Sequence, residues 1–256
     1  MEKEVSHAKI TFHVVTLFPE AFKSYLGSSI IGRATREKHI AVKFYNPRDF
    51  ITRPAKKHSN VLQNIRMSGK KKKTWFYRQV DDKPYGGGPG MVLQAEPFLK
   101  AVEKALRSKL YAQSSKIYFF DRSGKQFTNA DARSLAKKSR NIVLIAGHYE
   151  GIDARVQKIL KAKKISVGSY TLTGGELPAM AVIDAVSRQI KGVLGTFESV
   201  EEERVSSSEV YTRPEVFIWH GKKYRVPKVL LSGHHAKIDN WKQRKGLKPK
   251  TEKRKA

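Results

Sequence analysis

Three glycine-bearing stretches carry residue types that could do chemistry on a small ligand. In Gly147-His148-Tyr149-Glu150-Gly151-Ile152-Asp153, two carboxylates follow an apolar run closed by glycine, where they could hold a ribose or an amino group. The same acids also suit the first turn of a helix, whose dipole favours negative charge, and the residues alone leave both readings open. A second loop, Gly168-Ser169-Tyr170-Thr171-Leu172-Thr173-Gly174-Gly175-Glu176, follows a second strand-like run. Two such loops after consecutive strands favour one shared pocket over two unrelated turns. The third stretch, Asp81-Asp82-Lys83-Pro84-Tyr85-Gly86-Gly87-Gly88-Pro89-Gly90, packs four glycines and two prolines into residues 84–90. Such a backbone can approach a ligand closely, although an isolated glycine-rich stretch is more often a surface loop. It fits neither the dinucleotide pattern nor the phosphate-loop pattern, since no Gly-Lys-Ser/Thr follows.

Other reactive groups are more ambiguous. Residues 198–203 hold four carboxylates, ending in Glu201-Glu202-Glu203, and a bare acidic run is usually a solvated loop. Beside a cation, one of these groups could serve as a general base. Arg188 is either a surface ion-pair partner or an anion stabiliser at a site. The adjacent His234 and His235 point apart on any regular element, and without cysteine or paired histidine spacing a structural zinc site is excluded as a reading. No Ser/His/Asp arrangement sits in a strand–elbow–helix setting. Trp75-Phe76-Tyr77 beside Lys70-Lys71-Lys72-Lys73 places aromatics in a basic run, which suits RNA as well as it suits anchoring of an insert.

The elements that must position these residues alternate between strand and helix. Residues 10–18 read as a strand stopped at Pro19, and 20–25 and 29–37 as short helices. Helical spacing predicts a helix over 96–110, a short buried strand over 117–120 and a helix over 130–139. The continuous apolar run at 141–146 reads as a central parallel strand, and 164–172 as another. A long helix over 176–190 turns Leu177, Met180, Ile183, Val186 and Ile190 toward one face. The alternation implies an α/β fold with a mostly parallel sheet and ligands bound beyond the strand C-termini. There is no internal repeat.

Composition narrows the partners. Of 256 residues, 51 are Lys or Arg and 23 Asp or Glu, a formal net charge of +28, while 39% are hydrophobic. The chain can build a core, so a disordered basic tail is excluded. Zero cysteines exclude disulfides and thiolate chemistry. No apolar run spans a bilayer and the N-terminus lacks a signal-type segment, so a soluble cytoplasmic protein with no membrane partner is expected. The charge argues for a polyanion. It is uneven: 51–83 carries ten basic and two acidic residues, 237–256 nine and two, whereas 140–200 carries eight and five. The middle of the chain therefore has the balance of a folded site, and the excess lies outside it.

Eight stretches together resemble the bacterial tRNA (guanine-N1)-methyltransferase family (TrmD) of knotted SPOUT enzymes. They are Val15-Thr16-Leu17-Phe18-Pro19-Glu20, Pro47-Arg48-Asp49-Phe50, the run from Val80 to Met91, the run from Gly147 to Asp153, and the run from Ser166 to Met180. Gly192-Val193-Leu194-Gly195, Tyr211-Thr212-Arg213-Pro214-Glu215 and Leu231-Ser232-Gly233-His234-His235 complete the series, in family order across about residues 10–245.

The resemblance implies a homodimer with a SPOUT-type parallel sheet, helices on both faces and a deep trefoil knot, an exception to the usual absence of knots. It implies a methyltransferase domain over 1–195 with a basic insert at about 52–79. An acidic linker carrying an active-site loop follows over 196–210, and a reduced tRNA-binding segment with a basic tail over 211–256. S-adenosylmethionine would contact Gly147, Tyr149, Glu150, Ser166, Val167, Gly168, Ser169, Tyr170, Thr171, Leu172, Gly174, Gly175 and Pro178. Asp81, Tyr85, Gly86, Gly87, Gly88, Arg204 and His234 would face tRNA. Glu203 would be the general base and Arg188 the catalytic cation, methylating guanine N1 at position 37, with magnesium an open addition.

The chain departs from the family pattern where Glu203-Arg204 stands in place of Asp-Ser. The segment from Thr52 to Gln79 is longer and richer in lysine, and the C-terminal helical domain reads as reduced. An RNA-binding relative with weakened catalysis and a SPOUT methyltransferase of another nucleotide are the alternative functions.

Overall fold

The computed structural model describes residues 9–51, 79–106, 115–194 and 209–245. The chain divides into two compact units, Met1–Val193 and Leu194–Ala256. In the first, β1 (Ile10–Val15), α1 (Lys23–Leu26), α2 (Ser29–Arg36) and β2 (Ile40–Tyr45) are followed by a small hairpin of β3 (Asp81–Asp82) and β4 (Val92–Leu93). Then come α3 (Ala95–Ala105), β5 (Lys116–Gln126), α4 (Asn129–Lys138), β6 (Asn141–Ile145), α5 (Ala154–Leu160), β7 (Lys163–Ser166) and α6 (Glu176–Ser187). The second unit holds the hairpin β8 (Val216–Trp219) and β9 (Lys222–Arg225), then α7 (Lys228–Leu231) and α8 (His235–Lys245).

Five strands of the first unit form one sheet in the order β2-β1-β6-β5-β7, every pair parallel. The expected α/β architecture is present. Because side chains alternate across a strand, the central strands feed two cores. Phe12, Val14, Ile142 and Leu144 pack with Ile183 and Val186 of α6 on one face. Val15, Val143 and Ile145 pack with Phe98 and Val102 of α3 on the other. This is why β1 and β6 are apolar at nearly every position.

The polar side chain in the middle of β1, His13, is buried between Asn141 Oδ1 at 3.1 Å and Tyr45 Oη at 3.0 Å. Burial holds its pKa below the ordinary histidine value. α4 starts at a complete capping box, in which Thr128 and Asp131 satisfy each other's backbone amides. Among the described residues no helix is long and apolar enough to cross a membrane.

Several sequence-predicted bounds shift. The strand expected over 164–172 ends at Ser166, because the Ser166 hydroxyl donates to the Gly168 carbonyl at 2.8 Å and the chain turns locally. The short strand expected over 117–120 runs from Lys116 to Gln126, with its register against β7 shifting between Phe120 and Lys125. A Cβ on Gly124 would lie 2.6 Å from the Ile165 backbone nitrogen, so glycine lets the irregular segment lie flat on its neighbour. The helix expected over 176–190 ends at Ser187, and Leu177 is exposed rather than buried. Glu176, Ala179, Ile183 and Val186 share the inward face instead, so the turn that brings Glu176 inside carries Leu177 out. The helix expected over 96–110 spans Ala95–Ala105, and residues 107–110 lie outside the described ones.

Candidate active site

The C-terminal ends of β6 and β7 and the middle of β5, at Phe119 to Arg122, open on one cavity of 390 Å³. Its walls come from the segment after β6, residues 147–152, and the segment after β7, residues 167–175. The two meet directly: the Gly175 amide donates to the Gly147 carbonyl at 2.9 Å. A Cβ on Gly175 would lie 2.5 Å from Ala146 Cα, so only glycine permits the approach. From the other side the β3–β4 hairpin braces the first loop. Leu93 donates to Gly151 at 2.9 Å, Asp153 to Leu93 at 2.9 Å, and Glu150 to Met91 at 3.1 Å. Gly90, the last glycine of the 84–90 stretch, lies against the Glu150 side chain with φ of 86°.

A buried polar cluster ties these loops to the first strand. Glu176, at the first position of α6, accepts from the Thr16 hydroxyl at 2.7 Å and lies 2.8 Å from His148 Nε2. His148 in turn packs edge-on against Phe18, with ring centroids 4.8 Å apart. Gly174 passes through the cluster, where a Cβ would sit 2.2 Å from His148 Nε2. The carboxylate thus fixes three segments, after β1, β6 and β7, at one point beside the cavity. It also stands at a helix N-terminus, where negative charge is favoured. Neither Thr16 nor Glu176 was read as a site residue from sequence. The only signal was an acid directly after a glycine pair, which also fits an ordinary helix start.

Of the expected cofactor contacts, Gly147, Tyr149, Glu150, Ser166, Val167, Gly168, Tyr170, Thr171, Leu172, Gly174, Gly175 and Pro178 line the cavity. Ser169 is exposed and does not. Asp121, Arg122 and Lys164, which the sequence did not point to, also line it. Lys164 donates to Asp121 at 2.7 Å and holds that carboxyl down at about 2, helped by the Ser123 hydroxyl and amide and opposed by burial. Tyr85 is fully exposed, and Gly86, Gly87 and Gly88 face open space with φ of 86°, 78° and 113°. Asp81 is half-buried in the hairpin.

Of the expected catalytic residues, Arg188 lies among the described residues and Glu203 does not. Arg188 caps the C-terminus of α6, ten residues beyond Pro178, or about 15 Å along the helix axis. Tyr25 donates to Asp184 one turn before it, which pushes the tyrosine up to about 12. Glu203, Arg204, Trp75-Phe76-Tyr77, the insert at 52–78 and the tail beyond 245 lie outside the described residues. His234, in the second unit, is exposed, and its carbonyl accepts from Ile238 at 3.0 Å at the start of α8. Among the described residues no three His, Asp or Glu side chains group as a metal site would require.

A parallel sheet whose strand-end loops make a glycine-walled cavity defines the class of α/β proteins that bind small ligands at the carboxyl edge of the sheet. Comparison with known sequences gives the particular family. The family model described as tRNA (Guanine-1)-methyltransferase TrmD matches residues 10–70 and 62–256, its two stretches meeting inside the lysine-rich segment.

A tRNA (guanine-N(1)-)-methyltransferase of Dehalococcoides mccartyi is 42% identical over 239 residues, 92% of this chain and 85% of that protein. Proteins of the same name from Clostridioides difficile and Buchnera aphidicola are 38% and 37% identical, over 95% and 96% of this chain. The chain belongs to the TrmD family. It covers 95% and 94% of those last two relatives.

Proposed function

We infer that the chain is a tRNA (guanine-N1)-methyltransferase. The observation that carries this reading is the cavity at the ends of β6 and β7 and the middle of β5, in a chain that matches the family over nearly its whole length. Its volume of 390 Å³ suits a nucleoside-sized ligand. The cradle depends on glycine: at Gly147, Gly174 and Gly175 a Cβ would press on neighbouring atoms, so only glycine lets the two loops close together beside the ligand space. Val167, Leu172, Ile152 and Pro178 supply apolar wall for an adenine ring, and Glu150 a carboxylate for a ribose or an ammonium group. These residues fit S-adenosylmethionine, which when bound supplies an electrophilic methyl group.

The chain's own work is on guanine. N1 carries a proton and is a poor nucleophile until the proton is removed. Glu203 accepts that proton, and Arg188 offsets the negative charge that spreads to O6. Glu203 stands where the family pattern stated above has Asp, and its extra methylene moves the carboxylate by about a bond length, a distance to which catalysis is sensitive. Since Arg188 lies about 15 Å down α6 from the cavity, a homodimer in which one protomer's Arg188 serves its partner's cavity accounts for the separation.

The exposed Tyr85-Gly86-Gly87-Gly88 loop, free of neighbours at its three glycines, suits contact with tRNA, a role the same reading gives to Asp81, Arg204 and His234. The deep trefoil knot belongs to the same reading. Its support is the way the segment after the edge strand β7 turns back past β5 to bond the end of β6. Magnesium has no such support. Acting on tRNA, the protein works in the cytoplasm.

Methyl transfer to a tRNA transcript with guanosine at position 37 tests the reading, with an adenosine-37 transcript as control. Transfer confined to guanosine 37, and lost in Glu203→Gln and Arg188→Ala while S-adenosylmethionine still binds, is expected. Methylation of another nucleotide, or none of any RNA, overturns it. Full activity of Glu203→Gln shows that another group is the base.

A further inference from the structure

The second unit carries a surface that the methyl-transfer site does not use. β8 and β9 are joined by His220-Gly221 with φ of 45° and 74°, a two-residue turn whose left-handed residues keep the strands in register. The register pairs Phe217 with Tyr224 and Trp219 with Lys222. Directly opposed residues share a face, so Phe217, Trp219, Tyr224 and Lys222 stand on one side, and Ile218 and Lys223 on the other. The three rings line a shallow concavity and are 52%, 58% and 54% exposed. The planes of Phe217 and Trp219 are nearly parallel, 14° apart with centroids at 6.1 Å. A hairpin normally buries such a face, and here it stays in water. The charge around it is mainly positive: from Glu215 to Lys228, the cations Lys222, Lys223, Arg225 and Lys228 stand against one acid, Glu215.

We propose that this hairpin face is a stacking platform for unpaired nucleobases of tRNA. Flat rings exposed in register accept base faces, which a duplex hides but a loop or bulge offers, and Lys222 on the same face meets the adjoining phosphate. The excess of four cations over one acid around the rings favours RNA over a protein partner, whose surface mixes charges more evenly. The proposal rests on the reading that the chain acts on tRNA, and it adds a base-contacting site on the second unit.

The test uses the full chain, with tRNA and a short single-stranded oligoribonucleotide as probes. Trp219→Ala and Phe217→Ala should each weaken binding of both about 10- to 100-fold while leaving the salt dependence of binding unchanged, as loss of stacking does. Lys222→Ala should weaken it less and lower the slope of log affinity on log salt by about one. Trp219→Phe keeps a ring and should recover most of the affinity. S-adenosylmethionine affinity and the melting temperature should not move, because the rings are exposed.

If the wild type methylates tRNA while Trp219→Ala binds it equally well, the platform is overturned and the enzymatic reading stands. A wild type that binds no tRNA overturns both. Trp219→Ala that changes oligomeric state without changing RNA affinity assigns the face to protein contact and overturns the proposal.

Discussion

The loops around the cavity and the β8–β9 hairpin solve opposite binding problems with opposite materials. Around the cavity glycines let two loops close together, and the carboxylates of Asp121 and Glu176 are held in hydrogen bonds. Gly175 meets Gly147 at 2.9 Å and Glu176 is 7% exposed. On the hairpin, recognition is left to large rings more than half exposed and to lysines with no acid among them. A small ligand with many polar edges is held by fixed amides and carbonyls, which cost little entropy because the fold has already placed them. A long, flexible polyanion is held by stacking and charge, which tolerate variation in sequence and shape. On the proposed reading, the net charge of +28 bears on how RNA is held and the cavity on the chemistry.

Four substitutions would break or sharpen that contrast. The largest effect is expected from Arg188→Ala: if the cation acts only on charge developing at O6, kcat should fall about 10²- to 10³-fold with cofactor affinity unchanged. A parallel loss of cofactor binding would move Arg188 into the ligand cradle instead. Next comes Gly175→Ala, whose Cβ would lie 2.5 Å from the Ala146 backbone. Forcing the loops apart should cost about 1–3 kcal/mol of stability, seen as a lower melting temperature, and should abolish S-adenosylmethionine binding by calorimetry. Its affinity for a single-stranded oligoribonucleotide should survive, the reverse of what Trp219→Ala should do.

Glu176→Gln keeps the shape but weakens the charged acceptor shared by Thr16 and His148. A loss of about 1–2 kcal/mol in stability and a raised KM for the cofactor, more than a lowered kcat, are expected.

The smallest effect lies far from both regions, at His13. Burial lowers its pKa, so the folded state favours the neutral ring. The stability it contributes is complete above the unfolded value of 6.5 and is lost as pH falls below it. His13→Gln should therefore flatten the decline of melting temperature below pH 6.5 without moving either ligand affinity.

Legibility differed between the two regions for a physical reason. The cavity loops announce themselves because close backbone approach demands glycine, and glycine after an apolar run is visible in one dimension. Twelve expected wall residues do line the cavity, whereas Ser169 points out. Glu176 was not legible as a keystone, because its partners Thr16 and His148 lie 160 and 28 residues away. The continuation of the 164–166 strand to 172 was misread because Tyr170 and Leu172 carry strand-like side chains, while the Ser166 hydroxyl turns the chain first. The hairpin platform was invisible for a third reason. Alternating aromatics read as an ordinary half-buried strand, and nothing in the order of residues says that the buried half is left uncovered.

What the sequence determined by itself is the family, the parallel α/β sheet and the identity of the glycine loops, since each rests on local spacing, apolar runs or backbone freedom. Tertiary structure decided which residues share a space. It turned Glu176 inward to join three loops and left Arg188 some ten residues of helix away from the cavity. It also set three rings of the hairpin on one exposed face. Those are facts about distance between segments far apart in the chain, and distance in space follows from sheet order and register, which no single stretch of residues encodes.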